Sequence, residues 1–146
     1  MATTAETKTP THLWIVGGLS LLWNGLGCFD YFMTETANRT YLARMPADQI
    51  AYMHALPAWL TGMWAIGVWG GLAGSILLLM RSRHSVSLFA LSFIGAVVGL
   101  GYQEFLTAMP LSMKAGLMGL MPWVIVIIAA VLLWYSWAER DKGDLL

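Results

Sequence analysis

Charge is what this sequence has least of. Of its 146 residues, 11% are charged and 58% hydrophobic, whereas soluble domains carry roughly 25% charged residues. Eight basic and eight acidic residues cancel to a net charge of zero. That balance offers no electrostatic footprint for nucleic acid and no polybasic anchor for a membrane surface. Cysteine is almost missing as well. Cys28 stands alone, which excludes an intrachain disulfide, a CxxC redox pair and a thiolate metal site. Cys28 itself reads as a small apolar residue in a helix wall. The histidines, His12, His54 and His84, avoid the middle of every apolar run, so axial haem ligation has nothing to use. No H-E-x-x-H, P-loop, G-x-S-x-G or dinucleotide fingerprint occurs. No cofactor or metal is expected, and no enzyme.

Long apolar runs are what the chain has instead. Crossing roughly 30 Å of hydrocarbon takes about 20 apolar residues. Four runs qualify: Leu13–Met33, Pro57–Met80, Val86–Met109 and Leu117–Trp137. The polar, threonine-rich stretch Met1–His12 does not read as a signal peptide, because the run after it is long for an h-region and no small-residue cleavage site follows. Irregular backbone and open sheet edges cannot face lipid, so four such runs predict an all-α, antiparallel four-helix membrane bundle forming one domain. The links Arg81–His84 and Pro110–Gly116 are short, which makes antiparallel neighbours. Thr34–Leu56 is too long for a turn. Pro46 can open a helix there, Ile50, Met53 and Leu56 recur at spacing three, and Pro57 ends it. A short interfacial helix over about 46–56 is predicted, lying across the bundle as a lid.

An even number of spans puts Lys8, Arg81, Arg83, Arg140 and Lys142 on one side and Arg39, Arg44 and Lys114 on the other. The excess of basic residues on the first side predicts that both termini are cytoplasmic. Trp14, Trp59, Trp123, Trp134 and Trp137 fall near span ends, as interfacial anchors do; Trp23, Trp64 and Trp69 lie deeper, where an indole N–H needs a partner or a wet surface. Glycines four apart let helix backbones approach closely. Gly67, Gly70, Gly71 and Gly74 form such a ridge on the second span, and Gly95 and Gly99 a pair on the third. The ridge serves either packing within the chain or an interface with a second copy or another membrane protein.

Polar residues inside spans are costly and are therefore candidates for function. Asn24, Gly27, Tyr31 and Thr34 share one face of the first span, with Asp30 beside them. Tyr102, Gln103 and Glu104 end the third span on the same side, and His54 sits in the predicted lid. These residues suggest a polar, outward-facing, ligand-binding pocket made by Asn24, Asp30, Tyr31, His54, Tyr102, Gln103 and Glu104. Close carboxylates there would suit a proton or cation. The competing reading is that Asp30 or Glu104 pairs with Arg39, Arg44 or Lys114. Only Asn24 is too deep for solvent to explain. An enzymatic reading would have only His54 with Asp30 or Glu104 to work with.

Two stretches carry a family likeness: Trp23-Asn24-x-x-Gly27-x-x-Asp30-Tyr31-x-Met33-Thr34 and Trp64-Ala-x-Gly67-Val-Trp69-Gly-Gly-x-x-Gly74-Ser75. They resemble a family of small bacterial four-span membrane proteins often labelled sugar transporters. The resemblance implies a multi-pass protein of a bacterial inner membrane. Small multidrug transporters, similar in size, depend on a glutamate deep in the first span, and here Asn24 or the peripheral Asp30 would have to stand in.

Overall fold

The computed structural model describes residues 9–146; Lys8 and the rest of the first eight residues lie outside the described residues. Four long helices dominate: α1 Thr11–Glu35, α4 Ala58–Leu79, α5 Ser85–Leu106 and α7 Gly116–Asp141. At 22 to 26 residues each, they measure about 33–39 Å, enough to cross the hydrocarbon. Three short helices occupy the links: α2 Arg39–Leu42 and α3 Ala47–Ala55 before α4, and α6 Leu111–Lys114 before α7. Among the described residues there is no strand.

Prolines and left-handed turns set the ends. Pro10, Pro46, Pro57 and Pro110 immediately precede α1, α3, α4 and α6, where a missing N–H costs no helical bond. At the ends of α1, α4 and α7 the chain passes through positive φ at Ala37, Arg81 and Gly143. Each end closes with a paired bond, as in Asn38 N to Met33 O (3.1 Å) and Ser82 N to Leu77 O (2.8 Å), the Schellman pattern that satisfies terminal carbonyls. The apolar run predicted to reach Met109 stops as helix at Leu106, because Thr107 turns extended (φ −128°, ψ 158°) ahead of Pro110.

The spans are antiparallel and pack in chain order, α1 on α4, α4 on α5 and α5 on α7; α1 and α7 share no comparable seam. Small residues make the seams. A Cβ added at Gly95 would meet Met63 O at 2.8 Å and Gly67 N at 2.9 Å, and Ser92 Oγ donates to Gly67 O at 2.6 Å. The Gly67, Gly70, Gly71 and Gly74 ridge lies against α5 and, at Gly71, also against Asn24 of α1. All four glycines therefore have partners within the chain. In lipid, where no hydrophobic force draws helices together, such close backbone contact is what holds them.

Away from α3 the bundle is closed. Leu13, Leu78, Phe89, Leu132 and Leu145 form a buried cluster, and His12 is hydrogen-bonded to the Tyr135 hydroxyl, tying α1 to α7. The C-terminal tail folds onto the α4–α5 turn, with Leu146 N donating to Arg81 O (2.7 Å) and Arg83 N to Leu146 O (3.0 Å). That contact places the α4–α5 turn and the C-terminus on one side. Since backbone atoms around Gly95 cannot yield, Gly95→Ala should lower stability by about 1–3 kcal/mol. Gly101, whose Cβ would meet nothing within 4 Å, should tolerate alanine or gain about 0.5–1 kcal/mol. Thermal unfolding in detergent checks the pair, and equal effects at both positions would contradict the seam.

Candidate ligand-binding cavity

Towards α3 the bundle opens around a cavity of about 520 Å³. All four spans contribute to its wall, with Phe89 and Leu132 at its closed end. The lid helix α3 adds Gln49 and Met53, and its C-cap Leu56 follows them on the cavity wall. Met53 and Leu56 of the expected stripe thus line the cavity, while Gln49, which is buried, takes the place expected for Ile50. Two bonds tether the lid. Ser112 Oγ donates to the Asp48 carboxylate at 3.1 Å, and the Tyr52 and Thr107 hydroxyls bond at 2.5 Å.

Asn24, near the middle of α1, is buried at 8% exposure. Its Nδ2 donates to Ser20 O (2.9 Å), Ser20 Oγ (3.3 Å) and, across the seam, Ser75 Oγ (3.2 Å). Ser75 Oγ donates to Gly71 O at 2.7 Å, so in its bond with Ser20 the Ser20 hydroxyl donates. This network joins α1 to α4. It requires glycine at 71, because a Cβ there would collide with the Asn24 amide.

Of the residues chosen from sequence, Asn24, Asp30, Gln103 and Glu104 line the cavity. Tyr31, His54 and Tyr102 do not. Tyr31 packs edge-on against Trp64 (4.9 Å) and Trp69 (6.3 Å), and Tyr102 against Trp59 (4.9 Å). His54 is exposed on the lid, so it joins neither carboxylate in the cavity. Neither Asp30 nor Glu104 forms an ion pair with Arg39, Arg44 or Lys114; the ion pairs among the described residues are Arg140–Asp141 and Lys142–Glu139. Asp30 instead accepts from the Tyr41 hydroxyl of α2. Among the described residues no cluster of His, Cys, Asp or Glu could hold a metal ion.

Several lining residues were not among those chosen as ligand-binding from sequence. Gln49 and Glu35 contribute polar groups, and Met63, Met109, Met113, Met118 and Met121 thioethers; Trp23 and Trp64, expected as deep indoles, add aromatic faces, and Met53 comes from the expected lid stripe. The available signal for Gln49 was its spacing from Met53 and Leu56. Nothing in periodicity singles out the methionines of the spans, Met63, Met118 and Met121, which are as apolar as the lipid-facing residues around them.

No family model, curated protein or solved structure matches the chain. Its own features define it as a small four-span membrane bundle in contact with the lipid bilayer.

Burial, and then the Asp30 carboxylate to which it donates, push the Tyr41 phenol up from 10 to about 12. Because the folded value is the raised one, the contribution of the Tyr41–Asp30 contact to stability is complete below about pH 10 and is lost as pH rises towards 12. The difference between tyrosinate absorbance titrations of the wild type and Tyr41→Phe should therefore show one phenol ionising near 12. A difference curve centred near the ordinary value would contradict the contact.

Proposed function

We propose that the protein is a multi-pass protein of a bacterial inner membrane that binds or passes a small molecule or lipid through this cavity, with α3 and the cavity facing outward and both termini in the cytoplasm. The observation that carries the reading is the cavity itself. About 520 Å³ of space lined by apolar side chains, with a few amides and carboxylates towards one end, matches sites for small ligands, which run to roughly 300–1,000 Å³ and combine apolar walls with a small number of polar groups. Adaptable methionines suit a ligand of irregular shape. The likeness to four-span proteins labelled sugar transporters is compatible with this role. The orientation is supported by Arg81, Arg83, Arg140 and Lys142 against Arg39, Arg44 and Lys114.

A second reading, a non-catalytic subunit docked on a larger membrane complex or on a second copy, draws on α7. Leu117, Leu120, Val124, Ile127, Val131 and Trp134 alternate at spacings of three and four and are all exposed, a seam open to another helix. The glycine ridge does not favour this reading, since its faces meet α5 and α1.

The neutral, apolar fluorophore N-phenyl-1-naphthylamine separates the two readings. Protein in lipid nanodiscs should bind it saturably, and Ala129→Phe, which fills the cavity from α7, should weaken binding about tenfold. Absence of saturable binding, or an unchanged affinity in Ala129→Phe, would overturn the ligand-binding reading.

A further inference from the structure

Access to the cavity is one-sided. Its exposed lining residues all belong to α1 and α7: Leu26, 67% exposed, Glu35, and Met118, 44% exposed. The lid α3 contributes to the wall at one end, and the buried leucine cluster shuts the other. Leu26 faces hydrocarbon from within a spanning helix, and Glu35 ends that helix about 14 Å further along. The opening between α1 and α7 therefore runs lengthwise, from acyl-chain depth to headgroup level. It admits a molecule already dissolved in the leaflet on the α3 side.

The charged lining has one sign. Among the described residues Asp30, Glu35 and Glu104 line the cavity, no lysine or arginine does, and none of the three is in an ion pair. Gln49 supplies an independent pointer to a ligand. It is 9% exposed and lines the cavity, yet its side-chain amide makes no hydrogen bond among the described residues. The amide atoms keep accessible surface at the cavity wall, so their donor and acceptor are open to what the cavity holds. Pro122, also on the wall, lacks an N–H and so leaves the Met118 carbonyl four residues earlier without its helical donor. Every one of these groups but the amide NH2 accepts hydrogen bonds. Trp23 and Trp64 add aromatic faces that attract a cation.

Resting on the ligand-binding reading above, we propose that the occupant is a single-chain amphiphile with a cationic amine or ammonium head. It slips in sideways between α1 and α7, its head among Gln49, Glu35 and Glu104 and its chain along Met63 and Met121. A volume of about 520 Å³ suits one chain rather than the two of a phospholipid.

The test displaces N-phenyl-1-naphthylamine from the protein in phosphatidylcholine nanodiscs with three amphiphiles of equal chain: hexadecyltrimethylammonium, hexadecanol and hexadecyl sulfate. The ammonium should displace the dye at about a tenfold lower membrane mole fraction than the sulfate, with the alcohol between them. In the Asp30→Asn, Glu35→Gln, Glu104→Gln triple variant the two charged amphiphiles should converge to within about twofold, each displacement being referred to the variant's own dye affinity. Glu104→Gln alone, should the triple variant not fold, should narrow the preference by about two- to threefold. Tetramethylammonium, which has a head and no chain, should displace nothing. Equal displacement by sulfate and ammonium, a preference unchanged in the variants, or displacement by tetramethylammonium would each overturn the cationic amphiphile while dye binding still supports a ligand site. Failure of the dye to bind would instead overturn the ligand-binding reading beneath it.

Discussion

A helix in lipid gains little by exchanging acyl chains for another apolar helix, so the shape of this bundle depends on where backbones can touch. Those places are concentrated on α4. Gly67, Gly70, Gly71 and Gly74 bring it against α5 and α1, and Asn24, Ser20 and Ser75 add hydrogen bonds on the α1 side. With both small faces of α4 occupied, the span that α7 packs along is α5. A row of four spans, rather than a square, is the result. Its ends, α1 and α7, come together where Leu13, Leu132 and Leu145 cluster and where His12 meets Tyr135. Elsewhere they stand apart, and the cavity occupies the gap.

The chemistry of the gap follows from its position. Side chains turned into it cannot pack tightly, and it is lined by flexible methionines, by Pro122 and by amides and carboxylates near the lid. The lid is held by Asp48–Ser112 and Tyr52–Thr107, contacts to α6 and to the residue after α5. The α1 flank is held by Tyr41 on Asp30. These tethers order the polar end without crossing the opening between α1 and α7.

How much of this was legible depends on the kind of signal. The spans were plain, because length and apolarity fix them: Pro57–Met80 was expected where α4 runs Ala58–Leu79, and Leu117–Trp137 where α7 runs Gly116–Asp141. The lid was announced by Pro46 and Pro57, and its inward face was misread at one residue because Ile50 looked more core-like than Gln49. Tyr31 and Tyr102 shared turns with Asp30 and Glu104, but each ring found a tryptophan partner on α4 and left the cavity. The pairing of Asn24 with Ser75, and the absence of an α1–α7 seam, are tertiary facts. In a span that is apolar all round, periodicity does not say which face meets protein and which meets lipid.

The central claim is that a molecule from the bilayer occupies the interior between α1 and α7. Photocrosslinking measures it most directly, with a diazirine placed along the chain of a single-chain amphiphile in nanodiscs and the adducts mapped by peptide mass spectrometry. Adducts on the half-buried lining residues Met63 and Met121, suppressed by excess unlabelled amphiphile, are the predicted result. Adducts confined to the outer face of α7, at Leu120, Val124 and Ile127, would contradict it.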